Sequence, residues 1–237
     1  GYGGVPGLDV TNTFAPVVKG VTVRLLIALA QIRQMHIHQL DVASAFCYAA
    51  MEGDVYMEPP PDFDMPPDLC IKLEKSLYGL RTSPRAWWKH LNRFIKSLHF
   101  KPCVLEPCLY SMVYKHELML LTIYVDDIII ACANLEYIRE VKGKFCAKFD
   151  MTDMGEMEHF LNVRVSRHSG SIHLDQTVYL EKVLKKFEKF LGPKTWTSSY
   201  PLPANAAALL GQPDENLTEE DPLDLQNFPY RSFIGAV

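Results

Sequence analysis

Two adjacent carboxylates, Asp126 and Asp127, interrupt the most apolar tract of the chain, between the runs LMLLTIYV (118–125) and IIIACA (128–133). Like charges this close repel, and an apolar strand environment disfavours both ionised forms. The pair is therefore costly unless a divalent cation offsets it or both side chains face water in a turn. Asp41 is a third carboxylate in a similar setting, near the end of the run Ile37–Val42. Three carboxylates are an oxygen-rich cage suited to magnesium, which keeps several waters and bridges to phosphates. Two such ions could activate an attacking hydroxyl and stabilise a leaving pyrophosphate in an in-line displacement. The residues alone point to phosphoryl transfer on nucleotides, with metal-dependent phosphoester hydrolysis as the other chemistry this set could perform.

For Asp41 to reach the pair, the elements around them must converge. Val23, Leu25, Leu26, Leu29 and Ile32 are spaced as a helix with Thr22 placed to cap it. A strand over 37–42 follows, then a short helical piece near 43–50, with further strands near 55–57 and 71–73 around a proline-rich loop. Ser83-Pro84 opens a helix, the cap on Ser83 and proline at the first helical position. One side of that helix carries Trp87, Leu91, Phe94, Ile95 and Leu98, the other Arg85, Lys89, Arg93 and Lys96. Strands over 109–114, 118–125 and 128–132 come next, the last two a tight hairpin with Asp126-Asp127 at its tip. Asn134 caps a helix carrying Leu135, Ile138, Val141, Phe145 and Phe149; a strand over 160–165, a Ser169-Gly170 turn, a strand over 172–174 and a last helix with Leu180, Val183, Leu184, Phe187 and Leu191 follow. Strand 37–42, helix 84–98, strands 118–125 and 128–132, helix 135–149 and strand 160–165 read β-α-β-β-α-β. This is an α+β, ferredoxin-like order that sets the ends of the first and second strands side by side.

Charge distribution says more than total charge. The 237 residues carry 24 basic and 28 acidic side chains, yet Lys72, Lys75, Arg81, Arg85, Lys89, Arg93, Lys96 and Lys101 gather in one region with Glu74 alone against them. Such a face suits a nucleic-acid backbone, and equally the solvated side of an amphipathic helix; Lys182, Lys185, Lys186 and Lys189 invite the same comparison. Six cysteines without a CxxC pair read as reduced, buried thiols. No signal peptide is visible, and Asp126-Asp127 break the longest apolar tract, so no membrane span is expected. Residues 195–228 contain no lysine or arginine and read as an acidic tether, and the start at Gly1 reads as a fragment or processed piece. Asp153 with Glu156 reads as a helix-capping pair, and His36 and His38 as structural.

Tyr124-Val125-Asp126-Asp127 resembles the YxDD hairpin of reverse transcriptases, and the wider text resembles the reverse transcriptase of copia-type retrotransposons. The matching stretches are TFAPVV (13–18), HQLDVASAF (38–46), VYMEPPPDF (55–63), KSLYGLRTSPRAWW (75–88), YVDDIII (124–130) and FDMTDMGEMEHFL (149–161), with FPYRSFIGAV (228–237) resembling the passage towards ribonuclease H. The resemblance implies a right-hand polymerase palm and RNA-directed DNA polymerisation with two magnesium ions, or manganese in their place. Asp41, the backbone carbonyl of Val42, Asp126 and Asp127 would be the ligands. Phe46 would stack under the sugar and exclude ribose. Tyr78, Gly79, Arg81 and Tyr124 would line the nucleotide, and Lys75, Arg85, Lys89, Arg93 and Lys96 the nucleic-acid backbone.

Implied partners are an RNA template, a DNA or RNA primer, deoxynucleoside triphosphates, and the ribonuclease H and integrase segments of a parent polyprotein. The implied location is cytoplasmic, in a virus-like particle. The implied division is partial fingers or lead-in (1–36); palm (37–191) with a fingers insertion at about 48–83 and a thumb-like helix at 176–191; tether (192–228); and the start of a connection (229–237). The chain departs from the family pattern at Ala43-Ser44, at Cys47-Tyr48-Ala49-Ala50 and at Tyr78, where retroviral relatives carry glutamine. The family's basic upstream fingers and its ribonuclease H region are expected outside it. Two other readings share these residues: a catalytically disabled module that binds nucleic acid or a partner, and a palm-type nuclease or cyclase.

Overall fold

The computed structural model describes residues 13–64, 66, 68–191 and 229–236. The chain divides into two compact units, Gly1–Glu158 with His168–Ile172, and His159–Arg167 with His173–Val237.

The first unit contains α1 (Gly20–Ile32), β1 (His36–Val42), a 3-10 turn (Ala45–Tyr48), β2 (Tyr56–Met57), β3 (Ile71–Lys72) and α2 (Ser83–Ser97). After these come β4 (Lys101–Pro102), β5 (Leu109–Tyr114), β6 (Glu117–Tyr124), β7 (Asp127–Cys132), α3 (Leu135–Cys146) and β8 (Met151–Glu156). Six strands form one sheet in the order β4-β5-β6-β7-β1-β8, with every neighbouring pair antiparallel. Residues 128–132 of β7 are all buried. Successive side chains of a strand point to opposite faces, so both faces of the sheet are covered here. α1 and α3 both contact β7 and β1.

The helices follow from their apolar stripes. In α2 the stripe Trp87, Leu91 and Ile95 is buried, Leu91 and Ile95 completely. Phe94 meets Phe145 and Phe149 edge-on at 5.1 Å in each case, which locks α2 to the end of α3. α3 starts as expected: Asn134 Oδ1 accepts from Glu136 N at 2.9 Å.

The other two caps differ from expectation. α2 begins at Ser83 with Pro84 in its first turn, but Ser83 Oγ donates to Leu77 O at 2.6 Å instead of capping. α1 begins at Gly20, upstream of Thr22, and its end is closed from a distance. The buried Glu106 accepts from Thr22 Oγ1 at 3.1 Å and from Lys19 N at 3.4 Å, bringing a carboxylate to a helix N-terminus.

Two strand expectations are corrected. β1 pairs with β7, the second arm of the hairpin, and not with β6. The strand completing the sheet beside β1 is β8, not 160–165. Met154 is an extra residue in β8, bulged between Gly155, which faces Gln39, and Asp153, which faces Leu40. Asp153 is thus a strand residue whose Oδ1 accepts from Gly155 N and Lys142 Nζ, and it caps no helix. All six cysteines are free, but only Cys108 and Cys132 are buried.

β9 (His159–Phe160), β10 (Val163–His168) and β11 (Ser171–Asp175), which belong for the most part to the second unit, form a sheet in the order β11-β10-β9. α4 (Thr177–Leu191) buries Val183 and Phe187, and Phe187 meets Phe233 of α5 (Tyr230–Ile234) edge-on at 5.2 Å. Arg164 Nε donates to Asp175 Oδ2 at 2.9 Å. The expected tether at 192–228 lies outside the described residues. No helix among the described residues is long and apolar enough to cross a membrane.

Candidate active site

The three aspartates meet at one end of the central strands. Tyr124 faces Asp127 across β6–β7, and Asp127 faces Asp41 across β7–β1. Directly opposed residues project from the same side of a sheet, so Tyr124, Asp127 and Asp41 form a row. The hairpin loop is Val125-Asp126, so Asp127 is the first residue of β7 and only Asp126 sits in the turn proper. Val42 N donates to Asp126 O at 3.1 Å, tying the turn to the end of β1. Trp87 Nε1 donates to Val125 O at 2.6 Å from the α2 side.

The carboxylates act on one another. Burial pushes the pKa of Asp41 up, and Asp126 adds to it. Burial also pushes Asp127 up; a hydrogen bond from Gln39 counters this, while Asp126 and Asp41 raise it further. Gln39 Nε2 donates to Asp127 Oδ1 at 2.7 Å. Gln39 was not singled out in the sequence, although it lies two residues before Asp41 and therefore on the same strand face. Among the described residues no group of three or more His, Cys, Asp or Glu side chains is gathered closely enough to form a ready metal cage. The carboxylates share a corner without closing on a common point.

Around that corner, the loop after β1 turns through Ser44 (φ 52°) into the 3-10 turn bearing Phe46. Ala43 N donates to Asp150 O at 2.9 Å and Asp150 N to Tyr48 Oη at 2.7 Å, which holds the loop from both ends. Phe46 and Tyr78 form a tilted aromatic pair with centroids 4.5 Å apart. Tyr78 sits in a four-residue turn closed by Leu80 N to Leu77 O, with Gly79 at φ 93°. That backbone is the one glycine adopts at the third position of such a turn. Burial raises the Tyr78 pKa, and the negative charges of Asp126 and Asp41 raise it further.

The basic residues are less uniform. Lys75 and Arg81 are exposed near the Tyr78 turn, and Arg93 and Lys96 are exposed on α2. Lys89 is already paired with Glu52 at 2.6 Å, an acid from outside the basic stretch. Arg85 Nη1 donates to Phe14 O at 2.9 Å. Of the α2 cations named in the sequence, Arg93 and Lys96 are thus the exposed ones, while two are engaged with the protein itself.

The sequence that builds this arrangement of paired strands, carboxylate turn and aromatics falls in a known class. Residues 1–197 match the family described as reverse transcriptase (RNA-dependent DNA polymerase), and the chain belongs to that family. The relatives it matches include polyproteins of copia-type retrotransposons. It is 31% identical over 236 residues to the retrovirus-related Pol polyprotein from transposon TNT 1-94 of Nicotiana tabacum, a match covering 98% of this chain and 17% of that protein. It is 32% identical over 206 residues to the Pol polyprotein from transposon RE1 of Arabidopsis thaliana (86% and 14% covered). It is 29% identical over 204 residues to the transposon Ty1-BL Gag-Pol polyprotein of Saccharomyces cerevisiae (82% and 11% covered). The chain spans about a sixth or less of the length of these relatives.

Proposed function

We propose that this chain is an RNA-directed DNA polymerase domain in which a primer 3′-hydroxyl attacks a deoxynucleoside triphosphate beside Asp41, Asp126 and Asp127. The observation that carries the reading is the register setting Asp41 opposite Asp127, with Asp126 in the adjoining turn. The donor set fits a divalent cation: the side chains are hard oxygen donors, and burial and mutual repulsion raise Asp41 and Asp127, a cost that a cation offsets. Asp41, Asp126 and Asp127, with the Val42 carbonyl, would hold two magnesium ions, or manganese in their place. When bound, these ions supply the positive charge that favours ionisation of the primer hydroxyl and departure of pyrophosphate.

The chain's own residues do the positioning. Phe46 and Tyr78 present an aromatic wall to the sugar, Gly79 sets the turn that aims Tyr78, and Tyr124 extends the carboxylate row. Lys75, Arg81, Arg93 and Lys96 offer exposed cations to phosphates, while Lys89 and Arg85 would have to exchange their present partners to join them. The order β8-β1-β7-β6, with α2 and α3 in the two connections, supports reading the sheet as a ferredoxin-like palm. In that reading residues 48–83 are a fingers insertion and α4 a thumb-like helix. The substrates would be an RNA template, a DNA or RNA primer and deoxynucleoside triphosphates. The ribonuclease H and integrase segments of a parent polyprotein would be partners, within a cytoplasmic virus-like particle.

Primer extension on an RNA template tests this directly. The purified chain should extend with magnesium, and Asp126→Asn should abolish extension while leaving the unfolding midpoint unchanged. Wild-type-like extension by Asp126→Asn would sink the site assignment. Salt-sensitive hybrid binding without extension would favour a binding module, and release of mononucleotides or cyclic products a nuclease or cyclase.

A further inference from the structure

The Val125-Asp126 turn differs from the other two-residue hairpin turns among the described residues. At the β5–β6 turn both loop residues, Lys115 and His116, have positive φ (47° and 72°). At the β9–β10 turn Leu161 and Asn162 do as well (46° and 64°). Between β6 and β7 only the first loop residue is positive: Val125 stands at 56°, and Asp126 does not share the sign. A single positive φ at the first loop position belongs to the turn class normally built on glycine there. Valine is β-branched, and its side chain is disfavoured in that region. Such a conformation persists only where the surroundings over-determine it.

The surroundings act from both sides. Val42 N holds Asp126 O at 3.1 Å, and Trp87 Nε1 holds Val125 O at 2.6 Å. The tryptophan cannot swing away cheaply: it is 1% exposed, edge-on to Phe149 at 5.5 Å, and stacked on His90 at 6.1 Å. The same helix acts again at its first residue, where Ser83 Oγ donates to the Leu77 carbonyl at the base of the Tyr78 turn. α2 therefore fixes the carboxylate turn and the aromatic loop facing it from one rigid body.

We propose that Trp87 is a positioning residue: its indole N–H holds the Val125 carbonyl and so maintains the strained turn that presents Asp126 and Asp127. The role rests on the reading of these aspartates as a polymerase site, but the clamp itself can be measured without it. Trp87→Phe keeps an aromatic ring in the cluster and removes the donor. In single-turnover extension its rate at saturating deoxynucleotide should fall about tenfold or more, with deoxynucleotide and primer–template affinities held within about twofold. Val125→Gly removes the steric objection to positive φ, so in that background Trp87→Phe should cost no more than about twofold. A merely structural tryptophan would lose the same factor in both backgrounds.

Equal rates for the wild type and Trp87→Phe overturn the proposal, as does a tenfold loss that persists beside Val125→Gly. A wild type that extends no primer overturns the polymerase reading instead. The clamp is then judged by hydrogen exchange of the Trp87 indole proton, which should be slow in the folded chain; fast exchange overturns it.

Discussion

Lys142 is the most enclosed cation among the described residues, 5% exposed on the inner face of α3. Its Nζ lies 2.9 Å from His38 Nδ1 and donates to Asp153 Oδ1. The two ends of the ion pair are unequal, because the Asp153 side chain is 52% exposed and can turn to water while Lys142 cannot. Asp153→Asn leaves the ammonium enclosed with a neutral imidazole and an amide. The amide oxygen can still accept, so the loss is the counter-charge of an enclosed ammonium. Charged hydrogen bonds are worth about 1.5–3 kcal/mol and neutral ones less, so this variant should be destabilised by about 2 kcal/mol at most. Lys142→Met removes the ammonium together with its desolvation cost and fills the space with a flexible apolar chain. It should stay within about 1 kcal/mol of wild type. Urea unfolding at neutral pH, followed by far-ultraviolet circular dichroism, measures both. Lys142→Met proving the more destabilising of the two would refute the argument.

The same cluster sets a pH dependence. Burial lowers the His38 pKa, and Lys142 lowers it further, against weaker upward pulls from Asp153 and Glu156 and a slight additional lowering by His36. For Asp153 burial pushes upward, but the hydrogen bonds from Lys142 and Gly155 N outweigh it and the pKa ends below its ordinary value. In both cases the unfolded chain binds more protons than the native one, so stability rises with pH across the affected window. It should be complete above the ordinary imidazole value of 6.5, fall as His38 is forced to protonate, and fall again below the ordinary aspartate value of 3.8. Lys142→Met removes one cause of the His38 depression, so its stability should decline less steeply between about pH 7 and pH 5. An unchanged or steeper decline would contradict the assignment.

Gln39→Leu deprives Asp127 of its amide donor; extension and apparent magnesium affinity should each weaken about tenfold, with the thermal midpoint within a few degrees of wild type, and full activity would show that Asp127 needs no orienting partner. Glu106→Ala removes the distant cap of α1; the cost should be about 1–2 kcal/mol, with faster amide exchange confined to the first turn of that helix, and unchanged exchange there would rule out the cap.

The hairpin and its aspartates were legible because charge interrupts an apolar run, a local pattern that needs no tertiary information. β8 was not. Its sequence, MTDMGE, is polar and contains a glycine because it is an edge strand with four of its six residues exposed, and its bulge breaks the alternation on which strand reading depends. The distant cap was equally hidden. Glu106 is 84 residues from Thr22 in the chain, and nothing near either residue announces the other. Trp87 was legible as a core aromatic from its helical spacing, but periodicity fixes only the face a residue shows. It carries no information on the partner of the indole N–H. Gln39 could have been found, since period-two alternation from Asp41 leads directly to it.

That alternation also explains why the site tolerates so little change in register. On β1, His38 reaches Lys142 of α3 while Gln39 reaches Asp127, so even and odd positions serve opposite faces of the sheet. Leu40 and Val42 accompany His38 into the helix layer, completely or almost completely buried, and Asp41 stays with Gln39. A slip of one residue against β7 would carry Asp41 into the helix layer and bring Leu40 or Val42 to the carboxylate corner, burying a charge and exposing apolar surface in one step. The β1–β7 ladder runs from His36 opposite Cys132 to Asp41 opposite Asp127. Two bonds beyond the ladders fix the ends of β1: Val42 N to Asp126 O at 3.1 Å on the β7 side, and Met157 N to Ile37 O at 2.8 Å on the β8 side. The first of these is also a bond to the carboxylate turn. Any variant that loosens it should therefore lose register and site geometry together, whereas loss of the Trp87 bond disturbs the turn while β1 keeps its place. The two perturbations separate how the carboxylates are brought together from how they are held in shape.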